Sequence, residues 1–157
     1  MRALNGFLFL LATGFGSGRS PLASGTTGTL AAIPVYIAAV WLLGPAAFAV
    51  AAVLFVPLAI VAANVACARL QVKDPGLIVV DEWAGYFLTV ALHPLHWQTI
   101  AAGFFIFRIL DVTKPFPARW LEHLPGGTGV VLDDVMVGLY GNLILWLILS
   151  PLRTFLA

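Results

Sequence analysis

The sequence predicts an all-α protein: a small polytopic membrane domain with short or re-entrant helices and a polar site facing the cytoplasm. Three observations carry this. Only 10% of the 157 residues are charged, against about 25% in an ordinary soluble domain. The mean hydropathy is +1.01. Four windows (3–18, 20–68, 83–107 and 135–152) contain no Asp, Glu, Lys or Arg, and the longer ones exceed the roughly 20 apolar residues that a membrane-spanning helix needs. Backbone groups in lipid must be satisfied within the chain, which leaves helices or a closed barrel. The apolar runs are continuous rather than alternating, which disfavours the barrel. The same composition excludes disorder. A net charge of +1 gives no electrostatic footprint for nucleic acid. The lone Cys67 excludes an intramolecular disulfide and a cysteine-based zinc site. Residues 1–157 fit one domain.

The elements follow from where charge is missing. Residues 3–12 lie behind Met1-Arg2, and Gly14-Phe15-Gly16-Ser17-Gly18 follows without a small-residue cleavage site. They are expected to form a retained interfacial or re-entrant helix. The window 20–68 accommodates two helices, 29–43 and 46–68, broken at Gly44-Pro45; the first is short for a span. The window 83–107 is read as part of a helical hairpin with arms 77–92 and 97–110, turning at His93-Pro94-Leu95-His96. The alternative is one span kinked at Pro94. Charge placement favours the hairpin. It puts all seven acids at one end with Arg19, Arg69, Lys73, Arg108, Lys114 and Arg119, and it leaves both turns without Lys or Arg. That is the positive-inside asymmetry, with the charged end cytoplasmic. Residues 135–152 form the last span, which Asp133-Asp134 are expected to open.

Three polar stretches would converge on the charged end. The first runs from Thr13 through Gly16, Gly18 and Ser24-Gly25-Thr26-Thr27-Gly28-Thr29. Its glycine N–H groups and hydroxyls lead into a helix N-terminus, a setting that suits an anion. The spacing is neither a P-loop nor a dinucleotide fingerprint, and a flexible surface loop fits it as well. The second stretch places Asp81-Glu82 between apolar runs. Ionisable residues at membrane depth are functional candidates, although acids also cap helix N-termini. The third joins Arg108, Asp111 and Lys114-Pro115-Phe116-Pro117 to Gly126-Gly127-Thr128-Gly129 and Asp133-Asp134. Asp111 near a helix C-terminus needs an offsetting charge, either Arg108 at i−3 or a bound cation. If these residues converge, up to five carboxylates (Asp81, Glu82, Asp111, Asp133, Asp134) face Arg108 and Lys114. Hard oxygen ligands suit Mg²⁺, and cationic side chains suit phosphate. Together they are equipment for metal-assisted phosphoryl chemistry.

These segments, in this order, resemble the phosphatidylglycerophosphatase A family. The residues that carry the resemblance are Ala12-Thr13-Gly14-Phe15-Gly16-Ser17-Gly18, Gly25-Thr26-Thr27-Gly28-Thr29-Leu30, Ile78-Val79-Val80-Asp81-Glu82, Phe107-Arg108-Ile109-Leu110-Asp111 with Lys114-Pro115-Phe116-Pro117, and Gly126-Gly127-Thr128-Gly129 with Leu132-Asp133-Asp134. Ser24 stands where the family usually has proline, which loosens the loop but removes no chemical group. The resemblance implies a Mg²⁺-dependent bacterial inner-membrane phosphatase that acts on phosphatidylglycerophosphate at the cytoplasmic face. On that basis Asp81, Asp133 and Asp134 are expected to hold the metal, with Glu82 and Asp111 as ligand, base or nucleophile. Arg108 and Lys114 would bind phosphate, and Thr26, Gly28, Thr29, Gly16, Gly18, Gly126 and Gly127 would cradle it.

The rival reading is a small transporter or ion-binding membrane protein using the acids as an ion site. It would place charge near the middle of spans, whereas these charges cluster at span ends. Asn64, Asn142 and Tyr140 are read as interhelical hydrogen-bonding residues. Trp41, Trp97, Trp120 and Trp146 are read as belt or packing residues. His93 and His96 fall at the uncharged end, and His123 is read as interfacial.

Overall fold

The computed structural model describes residues 2–21, 23–72 and 76–156, with side chains described as far as 149. Lys73 and Asp74, placed by the sequence at the charged end, lie outside the described residues. The described residues form seven α-helices in order: α1 (Arg2–Ala12), α2 (Ser24–Leu43), α3 (Pro45–Leu70), α4 (Val80–Val90), α5 (Trp97–Thr113), α6 (Ala118–Leu121) and α7 (Gly126–Leu156). A 3-10 segment, Gly14–Arg19, joins α1 to α2. Among the described residues there is no β-strand.

Length and polarity divide the helices into two kinds. α2, α3 and the Gly126–Leu149 part of α7 are apolar stretches of 20, 26 and 24 residues. At 1.5 Å per residue each reaches about 30 Å or more, enough to cross a hydrocarbon core of about 30 Å. α4 has 11 residues, about 16 Å, and cannot cross. It lies inside the bundle, with every residue buried except Asp81. α7 covers it most extensively, and α2, α3 and α5 close the other sides. So close a crossing needs residues without side chains. A Cβ on Gly85 would lie 2.7 Å from the carbonyl oxygen of Asp134, and one on Gly138 would run into the backbone of Gly85. Small residues at such crossings let helix backbones approach in lipid.

A helix that ends inside a membrane domain exposes carbonyls with no water to donate to them, at several kcal/mol per unsatisfied group. Asn142 on α7 removes the problem. Its Nδ2 donates to the carbonyls of Leu88, Thr89 and Ala91 at 3.0, 3.0 and 2.8 Å. Beneath this cap, Tyr36, Phe48, Tyr86 and Phe87 pack edge-to-face at the centre of the bundle. Such pairs add about 1 kcal/mol each beyond the area they bury.

The hairpin is present: α4 and α5 are joined through residues 91–96. Within that turn His93 is buried and packs on Trp146, ring centroids 5.4 Å apart. Asn64 makes the expected interhelical bond, accepting from the Gly127 N–H at 2.8 Å, whereas Tyr140 donates to the Phe116 carbonyl at 3.0 Å in the turn between α5 and α6 rather than to another helix. Trp41, Trp97 and Trp120 are exposed on the outside.

The last helix requires a correction. It begins at Gly126, so Asp133 and Asp134 do not open it; they sit about 11 Å along its axis. The glycine run is helical because Asn64 satisfies the Gly127 N–H and α3 leaves no room for side chains. A Cβ on Gly127 would lie 2.8 Å from the Ile60 carbonyl oxygen. α2 likewise begins at Ser24 rather than 29, so Gly25 to Gly28 form its first turns and not a loop.

Candidate active site

The first turns of α2 and α4, the last turn of α5 with the following Lys114, and the third turn of α7 meet at the charged end. Between them lies a cleft of about 340 Å³. Asp81, Glu82, Asp111, Lys114, Asp133 and Asp134 all line it, with Ser24 and Gly25 at the start of α2. Five carboxylates scattered over more than fifty residues of sequence therefore share one space.

Glu82, Lys114 and Asp133 are held by neighbours from other parts of the chain, and Asp111 by Arg108 on its own helix. Glu82 Oε2 accepts hydrogen bonds from Arg108 Nη1 and, at 2.9 Å, from the buried hydroxyl of Thr29. Arg108 Nη1 also reaches Asp111 Oδ2 at 2.8 Å, the offsetting charge that an acid near a helix C-terminus requires. Lys114 Nζ donates to Asp133 Oδ2 at 2.6 Å and lies 3.3 Å from Glu122 Oε2. Gly25 makes room for the first pair: a Cβ there would lie 3.0 Å from Arg108 Nη1 and would collide with Glu82. Lys114 caps α5 in a left-handed conformation, φ +43°. That is a costly backbone for a residue with a side chain, and the ammonium itself is held by Asp133 and Glu122.

Burial shapes the charge states. Desolvation raises the pKa of Glu82, and the adjacent Asp111 raises it further; Arg108 and the hydrogen bond from Thr29 only partly offset this. Burial alone would lower the pKa of Lys114. The hydrogen bond and charge of Asp133, with Glu122, more than reverse that, and the group sits above its ordinary value of 10.5. The ammonium is thus held protonated through the neutral range. By linkage, the stability it contributes is complete below the unfolded value and is lost only as the pH rises through the higher folded one.

The glycines and threonines proposed as a phosphate cradle are placed elsewhere. Gly28 packs on Val79, where a Cβ would lie 2.6 Å from that residue's Cβ, and Gly18 packs against the Leu77 carbonyl. Gly126 and Gly127 pack on α3. Gly16 is in a turn at φ +99° with open space around it. Thr26 is half-buried on α2. None of these six lines the cleft. Thr29 reaches it only through Glu82. Sequence reasoning passed over Ser24, Gly25, Glu122 and His123 as individual lining residues. Ser24 and Gly25 could have been found from their place at a helix start. Glu122 and His123 reach the cleft because the chain folds back after α6, which no spacing reveals.

Among the described residues, no group of three or more His, Cys, Asp or Glu is gathered closely enough to hold a metal as it stands. The donor set nevertheless suits Mg²⁺, which takes one or two carboxylates and completes its shell with substrate phosphate and water. Asp133 supports that fit: its Oδ2 is taken by Lys114, while its buried Oδ1 has no hydrogen-bond partner among the described residues.

The sequence is similar to known proteins over most of its length. Phosphatidylglycerophosphatase A from Escherichia coli (strain K12) is 40% identical over 141 residues, covering 88% of this chain and 81% of the relative. The enzyme of the same name from Haemophilus influenzae is 38% identical over 143 residues, covering 90% and 88%. A Bacteroides thetaiotaomicron protein, provisionally named a phosphatidylinositol-3-phosphatase, is 40% identical over 147 residues, covering 87% and 89%. No solved structure matches the chain. The family model for phosphatidylglycerophosphatase A matches residues 10–149, a stretch that takes in every cleft residue, and the chain belongs to that family.

Proposed function

We propose that this protein is a Mg²⁺-dependent lipid phosphomonoesterase of phospholipid biosynthesis. It hydrolyses phosphatidylglycerophosphate to phosphatidylglycerol and phosphate at the cytoplasmic face of the bacterial inner membrane. The observation that carries the reading is the meeting of five carboxylates with Lys114 in one cleft at the end of an apolar bundle, with Arg108 ion-paired to two of those acids, Glu82 and Asp111, from behind the lining. An ion-transport site would need its charges along a path through the bundle. Here the interior beyond the cleft is filled by α4 and its aromatic neighbours.

Arg108 and Lys114 bind the phosphate oxygens and offset charge as the ester bond breaks. Glu82, whose pKa is raised by burial, is suited to carry a proton to the departing glycerol oxygen. Asp111 shares Arg108 with it and keeps that guanidinium in place. Asp81, Asp133 and Asp134 would hold Mg²⁺, which supplies positive charge to the phosphate and acidifies bound water.

Purified protein is expected to release phosphate from phosphatidylglycerophosphate with Mg²⁺ and to lose that activity in EDTA. Persistence in EDTA would remove the metal. Turnover of phosphatidylinositol 3-phosphate in place of phosphatidylglycerophosphate would move the substrate. The orientation rests on the Gly44-Pro45 and 93–96 turns, which lack Lys and Arg. A Leu95→Cys variant should therefore react with an impermeant thiol reagent from the periplasmic side. Labelling from the cytoplasmic side alone would invert the topology.

A further inference from the structure

A second space adjoins the cleft. It is a more open groove of about 700 Å³ lined by Thr113, Lys114, Phe116, Arg119, Trp120 and His123. Lys114 and His123 line both spaces, so the two share a wall. Its lining combines the cationic Lys114 and Arg119 with the aromatic Phe116 and Trp120. Arg119 is exposed and makes no ion pair among the described residues, unlike Arg108 and Lys114. His123 is anchored beside it, its Nδ1 donating to the Arg119 carbonyl at 2.8 Å. Phe116 and Trp120 are exposed at 83% and 63%, as aromatic residues are at a membrane interface.

This inference rests on the proposed substrate, which carries two phosphates. One is the terminal monoester, and the other is a phosphodiester one glycerol unit away, next to the acyl chains. We propose that the Arg119 groove is the subsite for that phosphodiester. Arg119 donates to its non-bridging oxygens while Lys114 and Arg108 hold the monoester, and Phe116 and Trp120 meet the diacylglycerol at the bilayer surface. An unpaired guanidinium suits a diester, which carries a single negative charge and needs no metal. Lys114 places one ammonium at the wall between the two subsites. The groove therefore selects lipids in which a phosphodiester precedes the terminal phosphate.

Arg119→Ala and Arg119→Lys are tested as full-length purified protein in mixed micelles. Phosphatidic acid serves as the comparison lipid, since it bears the terminal phosphate without the diester. It is assayed as a substrate, or as a competitor where it is not turned over. Arg119 is exposed, so the fold is not at stake. Arg119→Ala is expected to raise KM for phosphatidylglycerophosphate roughly tenfold, the loss of one charge-assisted hydrogen bond. kcat should stay within about twofold. The KM or inhibition constant for phosphatidic acid should not change, and Arg119→Lys should recover part of the loss. An equal loss on both lipids would make Arg119 a general anchor for anionic surfaces and overturn the subsite, as would no change on either. A wild-type protein that hydrolyses neither lipid refutes the proposed function itself, and the subsite with it.

Discussion

Replacing Asp134 with asparagine is expected to lower turnover of phosphatidylglycerophosphate by about a thousandfold or more, the scale seen when a preorganised charge is removed from a reacting centre. The bundle should remain folded. Asp134 is only 3% exposed, and its carboxyl lines the cleft while its own carbonyl abuts Gly85 at the α4–α7 crossing. Asparagine keeps the shape that this crossing needs and removes only a charge that burial penalises. Phosphate release at saturating lipid, with thermal unfolding in the same detergent, separates the two effects. A variant within tenfold of the wild-type rate would take Asp134 out of the site.

Arg108→Ala should be the most destabilising single change in the cleft, at about 3 kcal/mol, because removing one partner strands a buried charge. Glu82 would keep only its Thr29 hydrogen bond, and Asp111 beside it would lose the one ion pair described for it. The pH dependence has a definite sign. Glu82 already has a raised folded pKa, so its contribution to stability is complete below the unfolded value of 4.5 and is lost as the pH rises through the folded value. Arg108 is the chief group holding that folded value down. Without it the value climbs, and the cost of ionised Glu82 near neutrality grows. The variant should therefore fall further behind wild type at about pH 8 than at about pH 5. Adding Glu82→Gln should recover stability but not turnover. Melting curves at the two pH values test this, and a constant gap would break the assigned coupling.

Much of the scaffold was legible because lipid makes composition nearly decisive. Charge-free windows gave the spans, and the lack of Lys and Arg around Pro94 gave the hairpin. The start of α7 was hidden because Gly126-Gly127-Thr128-Gly129 has the composition of a loop. It is helical only because Asn64 bonds Gly127 and α3 packs against both leading glycines, contacts made across more than sixty residues. The same blindness affected the site. Asp81, Glu82, Arg108, Asp111, Lys114, Asp133 and Asp134 stood out as rare charges in an apolar chain, and they converge. Which acid faces which cation was not readable, nor was the use of Thr29 to hold Glu82. Glycine at Gly18, Gly28 and Gly127 looked like backbone available to an anion. In the folded chain it is backbone in close contact with other segments: Leu77 and Val79 ahead of α4 for Gly18 and Gly28, and α3 for Gly127.

The burial of α4 has a consequence for the order of events at the ribosome. α4 carries Asp81 and Glu82, and it is covered and capped by α7, which also brings Asp133 and Asp134. α7 is synthesised after α3, α4, α5 and α6, the helices it packs against. Until it inserts, α4 has an open flank and uncapped carbonyls, and two of the five carboxylates do not yet exist. A nascent chain halted in the bilayer is therefore chemically silent, and the ability to cleave a lipid phosphate arrives in one step, as the last span locks into place.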